Sequence, residues 1–217
     1  MYINFVHPTR YTKGKCPASK SDRLVCFIYL MYICCMSTDR KNSIKQTVID
    51  TASRLFYKQG YGNTGINQIV EESGVVKSSL YTAFRTKEDI LMAYLESAGE
   101  FTDKALKDAS EKGKNPKEKV LSVFDYLIDL VQQKEYNGCN FLNIISEIPA
   151  DSERVIKQIQ KQKNGVRALF AQLLKPIGKD QLADEIYVLF EGSLIANKVH
   201  NRVWPIERAK NMVNILL

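Results

Sequence analysis

From residue 44 to the C-terminus, apolar side chains recur at steps of three and four positions. That spacing gathers them on one face of a helix and would scatter them over both faces of a strand. Ile44, Val48, Ala52, Leu55 and Phe56 make the first such stripe, and Val120, Val123, Phe124, Leu127, Ile128 and Val131 make another. No ladder of short alternating runs punctuated by Gly and Pro competes with this pattern, so the fold class is all-α. With 45% hydrophobic and 25% charged residues among 217, the composition is that of a globular protein. The length suits a small domain followed by a larger one.

Capping signals cut the periodic stretch into helices. Ser43-Ile44-Lys45-Gln46 reads as a capping box opening a helix over Ser43–Gln59, closed by Gly60, with Tyr61 folding back on its last turn. Thr64 is placed to cap a short second helix that buries Ile66, Ile69 and Val70 and stops at Ser73-Gly74. A third runs from Lys77 to Phe84, with Leu80 and Phe84 inward. Thr86, with Asp89 three residues on, caps a fourth that reaches about Lys112, before Gly113. Asn115-Pro116 starts a fifth, and Gly138-Cys139 opens a short one that stops before Pro149. Asp151 or Ser152 opens another that ends near Pro176; 180–201 and 205–217 complete the series.

Residues 1–35 do not share this pattern. They hold four of the five cysteines (Cys16, Cys26, Cys34, Cys35), and the apolar run Leu24–Met36 has no helical stripe. At thirteen residues that run falls short of the ~20 needed to span a bilayer. A basic stretch before an apolar one has the outline of a secretory signal, but the large Tyr, Ile and Cys residues after it make a poor cleavage site. A cytosolic helical protein also needs no disulfide framework. Met36, in "MSTDRKNS", is read as the real start, with the preceding leader being upstream DNA read in frame; a disordered or interacting tail and a membrane anchor are the alternatives. The chain then divides into 1–35 as leader, 36–90 as a helix-turn-helix head and 91–217 as a body.

Charge is unevenly spread along these parts. The net charge is +7, yet residues 91–217 hold eighteen Lys and Arg against seventeen Asp and Glu, while residues 40–90 hold eight against five. Within "SGVVKSSLYTAFRTKEDI", Lys77, Ser78, Ser79, Tyr81, Thr82, Arg85 and Lys87 precede the first acids, Glu88 and Asp89. A helix, a tight turn at Gly74 and a second helix with an exposed polar and basic face form the geometry that enters a DNA major groove.

The stretch "VIDTASRLFYKQGYGNTGINQIVEESGVVKSSLYTAFRTKEDIL" resembles the DNA-binding head of TetR-type transcriptional regulators, through "A..LF...GY" and then "T.....I....GV.K..LY..F..K..IL". The resemblance implies roles for the matched positions. Thr64 opens the second helix, and Asn67 reaches a phosphate or base edge. Lys77, Ser78 and Ser79 start the recognition helix, with Tyr81 and Thr82 on its groove face. Tyr81 bonds a phosphate while its ring packs on the head. Lys87 adds a phosphate contact at a helix N-terminus. Lys77 suits guanine acceptors and the Thr82 methyl suits thymine. The plainer alternatives are Tyr81 as a core residue, Lys87 as a solvated charge, and Ser78 and Ser79 as exposed polar positions. Two residues depart from the family pattern: Val76 where a small hydroxyl residue usually caps the recognition helix, and Ala83 where a larger residue is common.

For residues 91–217 the resemblance implies a small-molecule effector site and a homodimer through the last two long helices. In "LFEGSL", Gly192 and Ser193 would permit close helix approach. The expected DNA partner is a double-stranded, near-palindromic operator, since two heads add their affinities through linkage. "NGCNFLNIISEI" looks like a branch of the family that includes thiol-based sensors. Cys139 would stand at a helix N-terminus, with Lys198 as a nearby cation; the alternative is a buried, inert thiol. Phe124, Tyr126, Phe141 and Trp204 are the aromatic candidates for the effector site, with a plain core role as the alternative for most of them. Two histidines, and the lack of a phosphate loop, zinc spacing or nucleophile–base signature, argue against an enzyme. No cofactor, metal or membrane partner is expected, and the expected location is the cytoplasm. The expected function is a dimeric repressor released from its operator by an effector. A redox or electrophile sensor acting through Cys139 is the alternative, and a helical adaptor that binds no DNA is a third reading.

Overall fold

The structure is a computed structural model that describes residues 44–217. The leader, the Met36 start and the Ser43 cap lie outside the described residues. The described residues form nine α-helices and no strand. They are α1 (Ile44–Gln59), α2 (Ile66–Ser73), α3 (Lys77–Ala83), α4 (Lys87–Ser110), α5 (Pro116–Val131), α6 (Asn140–Ile145), α7 (Glu153–Leu174), α8 (Ala183–His200) and α9 (Trp204–Leu216). Two 3-10 turns, Lys175–Ile177 and Asp180–Leu182, link α7 to α8.

The helix ends follow local chemistry. Gly60 and Gly74 both take positive φ, +93° and +66°, closing α1 and α2 in the left-handed conformation that glycine tolerates best. Asn115 caps α5 by accepting the Glu118 N–H at 2.9 Å, with Pro116 in the first turn where its missing N–H costs nothing. Thr64 behaves otherwise than its sequence position suggests. Gly65 holds the cap position of α2, and no side chain caps it. The Thr64 hydroxyl instead donates to the Gly60 carbonyl at 2.7 Å, so the residue is drawn inward to close the α1–α2 turn.

Two apolar clusters make up the interior. The first joins α1, α2, α3 and the start of α4 through Val48, Leu55, Phe56, Ile69, Leu80 and Leu91. Phe56 is its pivot, meeting Tyr61 edge-on at 5.3 Å and Tyr94 at 5.8 Å. Phe141 and Ile144 of α6, with Val155 and Ile159 of α7, belong to the same cluster. The second cluster fills the space among α5, α7, α8 and α9. Phe124, Phe170 and Phe190 pack at its centre with ring centroids 5.6–6.3 Å apart. Ser193 lies inside it, donating to the Phe190 carbonyl at 2.8 Å, so of the Gly192-Ser193 pair only Gly192 faces outward. No described helix is long and apolar enough to cross a membrane.

Candidate functional site

The outward face of α3 is decided by what α3 buries. Leu80 is fully buried and Phe84, just past the helix, nearly so. A seven-residue helix anchored at those two points must turn Lys77, Ser78, Tyr81 and Thr82 to the outside, and all four are exposed. Asn67 of α2 is exposed as well, and its Oδ1 accepts from Lys77 Nζ at 3.0 Å, bringing both helices of the pair to one polar surface. Tyr81 keeps 46% of its surface exposed, so it is not a core residue. The Thr82 hydroxyl donates to the Ser78 carbonyl at 2.9 Å. Ser79 is half-buried, set back from this face. Ala83 packs against the first cluster and so takes nothing from the outward surface. Val76 occupies the cap of α3 without a side-chain bond, as its apolar side chain requires.

Thr64 and Lys87 stand differently from the other matched positions. Thr64 is 1% exposed, with its hydroxyl given to Gly60, and is out of reach of a phosphate. Lys87 is half-buried, its Nζ lying 4.1 Å from the centroid of the Tyr61 ring, a cation–π contact and not a solvated charge. Burial pulls the Lys87 ammonium below the ordinary lysine range, and Glu147 works in the opposite direction. The N-terminus of α4 is also occupied from within. Thr86 and Asp89 form a reciprocal capping box: Asp89 N–H donates to Thr86 Oγ1 at 3.0 Å and Thr86 N–H to Asp89 Oδ2 at 3.1 Å. Arg154 of α7 donates to Asp89 Oδ1 at 2.6 Å. The hydrogen bond from Arg154, then those with Thr86, hold the Asp89 carboxyl below the usual range.

In the body, Cys139 sits at the cap of α6, and Lys163 of α7 donates to its sulfur at 3.4 Å. Lys163 also bridges both oxygens of Glu191 on α8 at 2.8 Å, and both side chains are largely buried. Burial opposes the Lys163 charge, but Cys139 and Glu191 outweigh it and raise the ammonium above its ordinary range. Lys198 is therefore not the cation beside the thiol. Its Nζ is held by the Asn137 carbonyl and amide oxygens, each at 2.7 Å, because α8 directs it to the loop before α6. Lys163 was legible in principle: it follows Ile159 by four residues and precedes Val166 by three, on the buried stripe of α7.

The aromatic candidates divide. Phe124 and Phe141 are core residues, Phe141 lying beneath Lys163 at 5.8 Å. Burial pushes the Tyr126 hydroxyl up to about 12. Trp204 is on the surface, its ring against His200 at 5.3 Å. A cleft of about 230 Å³ opens at the loop before α6, lined by Tyr136, Asn137, Gly138, Asn197, Lys198 and Asn201. Among the described residues no group of His, Cys, Asp and Glu could hold a metal ion.

Residues 48–94 match the family model described as bacterial regulatory proteins of the tetR family. An uncharacterized HTH-type transcriptional regulator of Bacillus subtilis, YxaF, is 28% identical over 193 residues, covering 83% of this chain and 97% of its own length. The HTH-type transcriptional repressor NemR of Escherichia coli is 23% identical over 187 residues, covering 80% of this chain and 94% of its own. The crystal structure of the reduced form of E. coli NemR superposes with a TM-score of 0.72 at 23% identity, over 78% of this chain and 94% of that one. SCO4454, a TetR-family transcriptional regulator from Streptomyces coelicolor, superposes with a TM-score of 0.69, also at 23% identity, over 79% and 96%. At these identities the two solved structures establish the fold.

Asp89 links α4 to α7 through a carboxylate whose pKa is depressed in the folded state, so its stabilisation is present above the unfolded pKa of about 3.9 and is lost as pH falls through the folded value. Asp89→Ala is expected to lower the thermal midpoint at neutral pH, with the deficit against wild type closing as the pH is taken well below 4. Melting curves across that pH series check it; a deficit that stays constant would show that the carboxylate charge is not what stabilises the junction.

Proposed function

We propose that this chain is a TetR-type transcriptional regulator, acting as a cytoplasmic homodimeric repressor and not as an enzyme. Its two heads would bind a near-palindromic double-stranded operator and leave it when a small effector binds the body. The observation that carries the reading is the exposed set Asn67, Lys77, Ser78, Tyr81 and Thr82 on a helix pair whose inner face is locked by Ile69, Leu80 and Phe84. On that surface Lys77 reads a base edge, Tyr81 and Asn67 meet the phosphates, and Ser78 fills in between. Ser79 and Thr64 act by holding the helices in place.

The second copy is supported by the outer faces of α8 and α9. Val188, Ile195 and Val199 are exposed along α8 at steps of seven and four, with Gly192 open between them, and Met212 and Ile215 are exposed on α9. An exposed apolar face spread over two adjacent helices is a surface for association. Two copies would bury it as a four-helix contact, which sets the distance between heads. The effector has an entry at the cleft beside Lys198, and a modest coupling of about 1–3 kcal/mol suffices to shift the heads out of half-site spacing.

A thiol-based sensor on the same scaffold is favoured by one contact, the 3.4 Å donation from Lys163 to Cys139 Sγ. Modifying that sulfur would disturb the Lys163–Glu191 pair beside it. The two readings share the DNA-binding half and differ only in the signal.

A gel shift on the DNA upstream of its own gene, across a salt series, is expected to show specific retardation that weakens as salt rises. Lys77→Ala should weaken specific binding by about 1–3 kcal/mol and relax base preference; no retardation of the duplex even at low salt would instead favour an adaptor that does not use DNA. Ile195→Asp should convert the dimer to monomer in sedimentation and lower operator affinity by at least about tenfold, since linkage of two heads is lost. With a thiol reagent added, wild type but not Cys139→Ser should leave the DNA if the sensor reading holds, and equal release of both proteins rejects it.

A further inference from the structure

Glu147 follows α6 in the body, yet its carboxylate lies on the head. Its Oε2 accepts the Gly62 N–H at 2.8 Å. The same oxygen lies close against Gly60: a Cβ built there would stand 2.8 Å from it, and the carboxylate would have to shift. Tyr61 lies between the two glycines and carries Lys87 Nζ on its ring at 4.1 Å. A backbone N–H offered by a glycine turn, with a lysine ammonium beside it, is a donor set suited to a phosphate oxygen. Here a carboxylate of the body already rests on it. Burial opposes the Lys87 charge, and the Glu147 carboxylate works in the opposite direction. The nearby Glu88 is turned to Arg154 at 3.4 Å.

We infer that Glu147 stands, in the DNA-free protein, where a phosphate oxygen of the duplex would bind, and that it sets DNA affinity by competing for Lys87 and the Gly62 amide. The inference rests on the DNA-binding reading and deepens it: Lys87 serves the body in the free protein and the duplex in the complex. It also gives the segment that begins at Cys139 a charge to withdraw or advance at the DNA-binding surface. The turn does not need Glu147 for its shape. The Thr64 hydroxyl binds the Gly60 carbonyl, and the Gln59 amide binds the Asn63 carbonyl at 3.2 Å and Gln68 Oε1 at 2.9 Å, all within the head.

The test compares full-length wild type, Glu147→Gln, Lys87→Gln and the double variant on a duplex of the upstream DNA, measuring dissociation constants over a salt series. Glu147→Gln keeps an acceptor for Gly62 and removes only the charge. It is expected to bind about three- to tenfold more tightly at low salt, with a salt slope steeper by about 0.9, the value of one added phosphate contact. Lys87→Gln in that background should erase most of the gain, a coupling that a general change of surface charge would not produce. Unchanged or weaker binding by Glu147→Gln, or a gain that survives Lys87→Gln, overturns the inference while leaving the DNA-binding reading intact. Failure of every variant, wild type included, to bind the duplex at low salt overturns that reading and the inference with it.

Discussion

Both interior clusters depend on α4. Its first three turns place Ile90, Leu91, Tyr94, Leu95 and Ala98 in the cluster that holds the head together, and Leu106, farther on, belongs to the cluster of the body. A helix of 24 residues is about 36 Å long and bends little, so the direction of α4 carries the orientation of the head. Its start is fixed independently by the Thr86–Asp89 box and by Arg154 reaching over from α7. Displacing α7 against α4 therefore loads the first turn of the helix on which the head is mounted. Phe141, Ile144, Val155 and Ile159 reinforce this by sharing the head's own cluster.

The recognition surface is a consequence of burial. α3 is too short to be stable alone, and it exists because Leu80 and Phe84 are packed beneath it. Once those two are inside, the helical period leaves no freedom over which residues face outward. Lys77 and Arg85 are then displayed without acids between them, and the first acids after them are consumed at α4, where Asp89 caps and Glu88 meets Arg154. Two of the five acids in residues 40–90, Glu88 and Asp89, are thereby turned to Arg154 of the body and away from that face.

The body spends its polar groups unevenly. A lysine and a glutamate paired inside a helical body carry a desolvation cost that an apolar pair would not. Lys163 and Glu191 accept that cost with short contacts, and the lysine turns a further donor to Cys139. The outer faces of α8 and α9 show the opposite imbalance, with Val188, Ile195, Val199, Met212 and Ile215 left in water. The body thus keeps a buried charge pair beside a thiol on one side and an uncovered apolar face on the other.

The helical period of the sequence determined most of this architecture: the all-α class, the breaks at Gly60 and Gly74, the Thr86 and Asn115 caps, and the outward set of α3. Each of these is local, depending on residues within one or two turns of one another. Only the tertiary structure decided what depends on distant partners. Thr64 has the chemistry of a cap and the place of a buried hydroxyl, because the α1–α2 turn closes around it. Lys198 and Lys163 are both lysines in helical stretches, and only the packing of α7 on α8 sets the second beside Cys139 while the first goes to Asn137. Glu147 has no local pattern at all; it reaches Gly62 across 85 positions of chain. Periodicity reports which face of a helix is buried, and the partner on the other side of that burial is a property of the fold.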